Sequence, residues 1–520
     1  YGLALSNHWP MMILTTPVLL VLLAESFQSL REKLASPVFW ILSILCGLLG
    51  LSPYIFLVYD SEPVIAVYGG INSIEQFYFY VTRSIYPDGN EVANYSDRLK
   101  FFLWIIKNSL TQFGIWAAPF ILAGIVIGFR SLTLTFNLAL ALMYAGCTVM
   151  LLVLLNFEFS PFNQAIFAPY PVISYLAVSI WFAIGFQTFK NFIEKHQMAA
   201  ILPRSLPLIG IALVLISNYG RNNRSEDSFT EKYATSVLES LPNDSLLLLY
   251  GDWETSLFGY SNLVQLIRPD VEVREWKNLV FSNRLASPFA SAKVRDERIV
   301  DYINSTHRPV FSLSSRFSQS TNLGFYYRYD HLNQDDVEIN ISLSPFVTYL
   351  INLYKDDLLT DPHERILSFH LLVSISRSYL KIVQQRAEGW EVALQHMEEM
   401  KGTFPAKFVM LETAVEKKHL DIEQINSLLV IVASAEEQIP DMIDQERIAQ
   451  FYEYYARLLL MQNVSVSSAF RYFEKSIRTY PSRDNASICH LRNLTTSEHL
   501  GPSKELKRFK AVNCLETTAA

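Results

Sequence analysis

The chain has 520 residues, of which 50% are hydrophobic and 18% are charged, and its formal net charge is −7. An ordinary soluble protein has about 25% charged residues, so this composition is too apolar for one. The acidic balance disfavours a nucleic-acid binder, and four cysteines in so long a chain disfavour a disulfide miniprotein. Apolar residues crowd into the first 217 positions and charges into the rest, which indicates a membrane half and a water-soluble half.

The first half contains six apolar stretches that approach or exceed the length of a membrane span, which is about 20 residues. They cover residues 9–24, 37–59, 113–129, 132–155, 170–189 and 202–217. Basic residues concentrate in the short loops at 25–36, 130–131 and 190–204, which share one side if the spans alternate. The positive-inside rule makes that side cytoplasmic. We therefore predict a polytopic membrane domain at 1–218, in a bacterial inner membrane or the endoplasmic reticulum, with later residues periplasmic or lumenal.

The long loop at 60–100 is expected on the external side and has an internal pattern. Residues 73–83 are rich in aromatic side chains with charges at intervals, and residues 99–110 form a second amphipathic stretch. Such stretches are typical of helices that lie along a membrane surface. They predict an external pocket roofed by interfacial helices, although an aromatic belt without a site explains the same residues equally well.

From about residue 226, stretches with helical spacing alternate with short apolar strands. Helices are predicted at 229–241, 254–267 and 295–304, and strands at 245–250, 271–274 and 310–313. This order predicts an external α/β domain at 219–345 with a small parallel sheet. Gly251 and Asp252 follow the first strand, where open sheets bind ligands, but no glycine-rich phosphate loop follows them. A helix-cap or turn role is therefore favoured for Asp252.

Residues 346–520 are predicted to form an α-helical domain with an internal repeat. Residues 393–405 align without gaps with 469–481, and each copy follows a candidate helix, at 366–385 and 446–461. The copies resemble the second helix of tetratricopeptide repeats, with room for another helical pair between them. Such arrays commonly bind a protein partner on a concave face. A helical bundle without a partner is the alternative.

The four cysteines give no sign of a metal site. Cys46 and Cys147 lie within predicted spans as apolar residues, whereas Cys489 and Cys514 could form a disulfide on an oxidising side. No histidine spacing matches them, and no phosphate loop or hydrolase motif is present. We therefore predict neither a metal nor a cofactor.

Three ordered segments within residues 1–275 resemble the transmembrane protein O-mannosyltransferase family, polytopic proteins whose vertebrate member modifies IPT domains of plexins. The first segment is Gly2-Leu3-Ala4-Leu5-Ser6-Asn7-His8-Trp9. The second is Gly69-Gly70-Ile71-Asn72-Ser73-Ile74-Glu75-Gln76-Phe77, followed by Arg83 and Tyr86. The third runs from Ser217-Asn218-Tyr219 through Leu241-Pro242-Asn243-Asp244 and Gly251-Asp252 to Arg268-Pro269-Asp270-Val271.

The resemblance implies a membrane-embedded glycosyltransferase of the GT-C type. Such an enzyme takes a sugar, with mannose as the candidate, from a polyprenyl-phosphate carrier. It transfers that sugar on the external face to an acceptor protein, at Ser or Thr, or to a glycan. The family's catalytic carboxylate lies in an earlier external loop, so the catalytic residue is expected amino-terminal to Tyr1 and this chain is expected to lack it. The bilayer and the lipid-linked sugar are the implied partners, and nucleic acid is not.

The chemistry of this reaction selects five candidate site residues. Negative charge grows on the phosphate leaving group, and the planar guanidinium of Arg83 suits phosphate oxygens. His8 and Asn7, at the outer end of a span, could bind phosphate or sugar, while Glu75 and Tyr86 are candidate acceptor or loop contacts. The structural alternatives are an interfacial anchor for Arg83, a helix-end role for His8 and a solvated helix face for Glu75. A non-catalytic membrane scaffold that binds partners through its helical repeats is the rival function.

Overall fold

The computed structural model describes most of the chain, in segments. These are residues 2–25, 31, 33, 35–57, 71–82, 84, 93–195, 202–225, 227–314, 320–329, 345–356, 358–359, 361–385, 400, 402–417, 422–440, 443–461, 466–481 and 486–497. Within them, side chains are not described for residues 2–11, 25, 56–57, 202–207, 221, 362, 381–385, 417, 422 and 495–497. The chain divides into two compact units with a main boundary between Asp227 and Ser228, and each is described by itself.

The first unit consists of apolar helices. In chain order the helices as far as the boundary are α1 (Gly2–Glu25), α2 (Pro37–Gly50), α3 (Ile74–Val81), α4 (Tyr95–Phe113), α5 (Ala118–Ser131), α6 (Leu134–Leu155), α7 (Pro161–Phe167), α8 (Ser174–Lys195) and α9 (Leu202–Asn222). Helix α6 contains a π-helical turn at Gly146–Met150, and a 3-10 turn at Tyr170–Ile173 extends α8. Apolar side chains along α2, α6 and α9 are exposed, as a lipid-facing surface requires.

Within the described residues, two helical segments are long and apolar enough to cross a membrane, Leu134–Leu155 and Tyr170–Lys195. Helix α4 and the segment Ile115–Ser131 meet the same requirement only together, and they are bent by 96°. Three shorter apolar helices, Met12–Ala24, Pro37–Gly50 and Leu208–Gly220, coincide with the remaining predicted spans. The apolar helices are therefore where the sequence places them, while the number of spans, six, stays a prediction.

The bend between α4 and α5 has a local cause. Gly114 ends α4 with φ of +81°, a conformation that side chains with a Cβ rarely adopt, and a 3-10 turn at Ile115–Ala117 leads into α5. The predicted amphipathic stretch at 99–110 is the middle of α4. Phe101 and Ile105 on this helix are fully buried against α6, within a cluster that includes Leu151 and Phe167.

Helices α5 and α8 form the tightest crossing of the described part of this unit. A Cβ placed on Gly124 would overlap the carbonyl oxygen of Trp181, and one placed on Gly185 would overlap the carbonyl oxygen of Phe120. The two backbones therefore approach each other through paired glycines. Small residues at helix contacts have this effect in membranes, where close packing replaces the hydrophobic effect as the source of association.

The second unit begins with an α/β region whose sheet is mixed. Its strands are β1 (Leu246–Leu249), β2 (Glu272–Glu275), β3 (Val310–Ser312), β4 (Ser320–Asn322) and β5 (Tyr327–Tyr329), in the order β2-β1-β3-β5-β4. Strands β1, β2 and β3 are parallel, but β5 pairs antiparallel with β3 and β4 with β5. The prediction of a small parallel sheet is therefore wrong at one edge, where the sequence pattern did not reveal two strands of three residues each.

Helices α10 (Phe229–Ser240), α11 (Asp252–Gly259) and α12 (Ala292–Ser305) alternate with these strands. All four leucines of β1 are buried, because parallel strands are covered on both faces. Leu246 and Leu248 pack with Trp276, Ile299 and Ile303 in one apolar cluster. The predicted parallel strands and the helices at 229–241 and 295–304 are confirmed to within a few residues at each end. The helix predicted at 254–267 is α-helical only as far as Gly259 and continues as a π-helical turn at Tyr260–Val264.

The rest of the second unit is helical. It comprises α13 (Pro345–Lys355), α14 (Pro362–Gln385), α15 (Phe404–Lys417), α16 (Ile422–Ala433), α17 (Gln445–Met461), α18 (Val466–Thr479) and α19 (Ser487–Ser497). Ala469, Phe473 and Ile477 on α18 are fully buried and pack with residues of α17 and α19. Most of the first repeat copy, 393–399, lies outside the described residues, so the tetratricopeptide-like character stays a prediction. Cys489 is disulfide-bonded, and Cys514 lies outside the described residues.

Candidate functional site

The structure describes the side chain of one of the five predicted site residues, Glu75. Arg83 and Tyr86 lie outside the described residues. Asn7 and His8 lie in helix α1, but their side chains are also outside the description. Whether these four side chains meet in one site therefore stays a prediction from sequence.

Glu75 lies in the first turn of α3, on an exposed face. The Ser73 hydroxyl caps this helix by accepting the amide N–H of Gln76 at 3.1 Å, and the Gln76 side chain accepts the amide N–H of Asn72 at 2.8 Å. A carboxylate in the first turn is stabilised by the helix dipole. Glu75 is thus a solvent-exposed residue at the start of the helix, and its role in a site stays a prediction.

The other face of α3 carries aromatic rings that link it to the turn after α2. Phe77 and Tyr80 both pack edge-to-face on Tyr54, with ring centroids 5.6 and 6.3 Å apart. Ile74 and Tyr78 remain largely exposed. The helix thus has one anchored aromatic side and one exposed apolar side. Its position at a membrane surface stays a prediction.

The start of α4 is tied to the end of α6 by polar contacts that the sequence reading missed. Asn94 and Asp97 form a reciprocal capping box on α4. One turn later, Nη2 of Arg98 donates to Oδ1 of Asn156 at 2.8 Å, and the Asn156 carbonyl accepts the Ala93 amide N–H at 3.3 Å. Asn156 has a positive φ of 49°, which asparagine tolerates better than most residues, so an Asn directly after an apolar helix was the available signal.

A second group of missed residues lies among the apolar helices. Nδ2 of Asn108 donates to the Tyr175 hydroxyl at 3.1 Å, and the hydroxyls of Ser109 and Tyr144 lie 3.1 Å apart. The Ser174 hydroxyl donates to the Tyr144 carbonyl at 3.1 Å. These side chains are uncharged at neutral pH, so they can join helices and orient a hydroxyl-bearing ligand but supply no strong acid or base.

In the second unit, the family-like segment at 268–271 has a structural role. Nη1 of Arg268 donates to the carbonyls of Leu238 and Leu241 at the end of α10, at 3.1 and 2.8 Å. Nε and Nη2 of Arg268 bind both carboxylate oxygens of Asp270, at 2.8 and 2.7 Å. Hydrogen bonding by this guanidinium holds the pKa of Asp270 far below its ordinary value. The segment therefore caps a helix and orders the loop before β2.

Asp252 begins α11 after the capping position of Gly251, and its carboxylate lies 3.4 Å from the ammonium of Lys277. Asp252 is thus the first helical residue and not the cap that the sequence predicted, because Gly251 holds the capping position. No group of three or more metal-ligating side chains occurs in the part of the chain that the structure describes.

Comparison with known proteins supports the resemblance to the O-mannosyltransferase family. The chain is 24% identical over 311 residues to the protein O-mannosyl-transferase tmem260 of Dictyostelium discoideum, an alignment that covers 52% of this chain and 36% of that relative. The resemblance to the O-mannosyltransferase family is thus confirmed, and the chain spans about a third of the relative's length. No family model matches the chain. No solved structure matches it either.

Proposed function

We propose that this chain forms the carrier-binding and acceptor-facing part of a membrane glycosyltransferase, an O-mannosyltransferase of the GT-C type. The observation that carries the proposal is the similarity to the Dictyostelium protein named as an O-mannosyl-transferase. In this proposal mannose passes from a polyprenyl-phosphate carrier to Ser or Thr of an acceptor protein on the external face of the membrane.

The first unit supports the membrane part of this proposal. Within the described residues, two apolar helical segments are long enough to span a bilayer. One bent pair of helices gives a third span if its two halves count as one. Helix α3 adds an anchored aromatic face and an exposed apolar face, which suits a position at the bilayer surface beside a lipid carrier. A lipid-linked sugar must present its phosphate at this depth, because the polyprenyl chain stays in the hydrocarbon region.

The proposed chemistry assigns a role to each candidate. When the bond between sugar and phosphate breaks, negative charge accumulates on the phosphate oxygens. A guanidinium that binds two of these oxygens stabilises the transition state more than the ground state. Arg83 is assigned this role, His8 and Asn7 hydrogen-bond the phosphate or the sugar hydroxyls, and Tyr86 contacts the acceptor. Glu75 is assigned to the stability of α3.

The test compares two arginines of the same region in the protein expressed from its complete gene. Arg83→Ala should reduce mannose transfer at least about 100-fold, the scale of losing one transition-state donor, and Arg83→Lys should recover part of it. Arg98→Ala, which removes only the exposed contact to Asn156, should change transfer less than about twofold. All variants must reach the membrane in equal amounts. Ordinary turnover by Arg83→Ala would contradict the phosphate role.

A second role, protein binding, is supported by the helical part of the second unit. Helices α17 and α18 pack side by side, and α15 and α16 form a further pair between the positions of the two repeat copies. Stacked helix pairs of this kind present surfaces suited to an acceptor or partner protein. If the chain is only a scaffold, Arg83 variants should bind the partner protein as the unaltered protein does. Substitutions on the helical surface should then abolish partner binding.

A further inference from the structure

The second unit contains a cavity of about 280 Å³ at the carboxyl ends of two parallel strands. Strand β1 is the middle one of the three parallel strands, and the chain passes from it to β2 on one side and then to β3 on the other. In open α/β sheets this reversal of direction opens a crevice between the two strands, and ligands bind there. Glu254, shortly after β1, and Leu313, directly after β3, both line the cavity.

Aromatic side chains form the sheet side of the cavity. Trp253 stacks on the buried ring of Tyr233, with centroids 6.1 Å apart and an interplanar angle of 24°, and about a third of Trp253 remains exposed. Phe325 and Tyr327, at the edge that sequence reading missed, complete this wall. Flat rings held in place by packing suit the apolar face of a sugar ring, because they lose little conformational freedom on binding.

Two arginines on the later helices also line the cavity. Nε and Nη2 of Arg377 on α14 bind both carboxylate oxygens of Glu412, each at 2.8 Å, which fixes the direction of the guanidinium. Nη1 of Arg447 on α17 donates to Gln450 at 2.9 Å, and within the described residues no carboxylate forms an ion pair with it. The Asp444 carboxylate attracts Arg447 electrostatically without a direct ion pair, so the guanidinium keeps donors for a ligand in the cavity that it lines.

Two further titratable groups line the cavity. Burial raises the pKa of Glu254, whose carboxylate accepts the amide N–H of Tyr250 at 2.8 Å. Crowding by protein atoms and the charges of Arg447 and Arg377 lower the pKa of His370, so the accessible imidazole stays neutral at pH 7. Both groups can exchange hydrogen bonds with ligand hydroxyls. The cationic groups of the lining are Arg377 and Arg447, both on the later helices.

We propose that this cavity binds an acidic monosaccharide, a single sugar ring that carries one phosphate or carboxylate group. The guanidinium of Arg447, supported by Arg377, binds the anionic group, the aromatic wall takes the ring, and Glu254 and His370 bind hydroxyls. The volume lies at the lower limit of small-molecule pockets, so it holds one ring and not a chain of them. The proposal is independent of the transfer reaction, because it concerns residues of the second unit only.

The test is calorimetric titration of the purified, detergent-solubilised protein with four probes. They are mannose 6-phosphate, glucuronic acid, neutral mannose and inorganic phosphate, and the first two distinguish a phosphorylated from a carboxylated ligand. We expect one acidic sugar to bind at least about tenfold more tightly than neutral mannose, because a charge-assisted hydrogen bond is lost with the neutral sugar. Equal binding of neutral mannose, or of phosphate alone, would overturn the proposal, as would the failure of both acidic sugars to bind.

Two variants and one control locate the site. Arg447→Met should weaken binding of the acidic sugar at least about tenfold, and Leu313→Trp, which fills the cavity, should abolish it. Arg471→Met removes an exposed arginine on α18 outside the cavity lining and should leave binding unchanged. Ligand-free melting temperatures identify any variant that fails to fold, and the remaining variant then decides. Unchanged affinity in a folded Arg447→Met or Leu313→Trp protein would place the ligand elsewhere and overturn the proposal.

Discussion

Helices α5 and α8 cross at Gly124 and Gly185, and replacing either glycine by alanine has two opposing effects on stability: a gain in helix propensity and an overlap with the neighbouring helix. Replacing a helical glycine by alanine stabilises a helix by about 1 kcal/mol through backbone entropy. At Gly47 in α2 nothing lies within 4 Å of the added methyl, so Gly47→Ala should be neutral or stabilising. At Gly124 the methyl would overlap the carbonyl oxygen of Trp181, which belongs to a helix backbone and cannot rotate away.

The cost at Gly124 follows from that obstacle. To restore an ordinary carbon–oxygen contact, α5 and α8 must separate by more than about 1 Å, which loosens packing along the crossing. Overpacking costs about 1–3 kcal/mol, and the upper end applies where backbone is the obstacle. After the gain of about 1 kcal/mol in helix propensity, Gly124→Ala should destabilise the unit by about 2 kcal/mol. Gly185→Ala should behave alike, because its methyl overlaps the Phe120 carbonyl.

The assay is the melting temperature of the detergent-solubilised protein, followed by loss of the monodisperse peak on size-exclusion chromatography. About 2 kcal/mol corresponds to a decrease of about 4–8 °C for a unit of this size. The Gly124→Ala/Gly185→Ala double variant should lose less than the sum of the single losses, because one separation of the helices relieves both overlaps. Melting temperatures for Gly124→Ala equal to or above that of Gly47→Ala would refute the reasoning.

Two further predictions concern the second unit. Arg268→Ala removes hydrogen bonds to four backbone carbonyls, those of Leu238, Glu239, Leu241 and Pro242. It should cost about 3 kcal/mol at about 1 kcal/mol for each full bond, because Nη1 shares its two N–H groups among three of these carbonyls. Faster hydrogen–deuterium exchange in α10 and β1 checks this, and unchanged exchange would contradict it. Burial and the charge of Arg457 lower the pKa of His490 to about 4, so the folded protein binds fewer protons than the unfolded chain between about pH 6.5 and 4. Stability should therefore fall by about 2–3 kcal/mol as the pH drops through that window. His490→Phe, which preserves the stacking on Phe473, should lose that part of the pH dependence, and urea titrations at pH 7 and pH 4 would show whether it does.

The α/β region was predictable because apolar residues recur at different spacings in its helices and in its parallel strands. The run of four leucines in β1 can be accommodated only where both sheet faces are covered, and the structure buries all four. Strands β4 and β5 carry no such signal. Each has three residues, all partly exposed, and they join the sheet through the pairing of β5 with β3 and of β4 with β5.

Distant contacts limited the prediction of the sites. The local sequence pattern at 73–83 predicted the aromatic helix α3. The contact between Arg98 and Asn156, by contrast, joins residues 58 positions apart. The cavity in the second unit likewise combines Glu254, near β1, with Arg377 and Arg447 from two later helices. No local spacing relates such residues, so only the folded chain shows that they share a wall or a contact.

The most direct test of the proposed function is a transfer reaction with the purified protein expressed from its complete gene. It is incubated with polyprenyl-phosphate mannose and a folded acceptor protein rich in exposed Ser and Thr, and the acceptor is analysed by mass spectrometry. The proposed function predicts the mass of one hexose on Ser or Thr, dependent on the lipid-linked donor and lost in Arg83→Ala. An acceptor that stays unmodified in the presence of intact donor and folded enzyme, or modification that persists in Arg83→Ala, would contradict it.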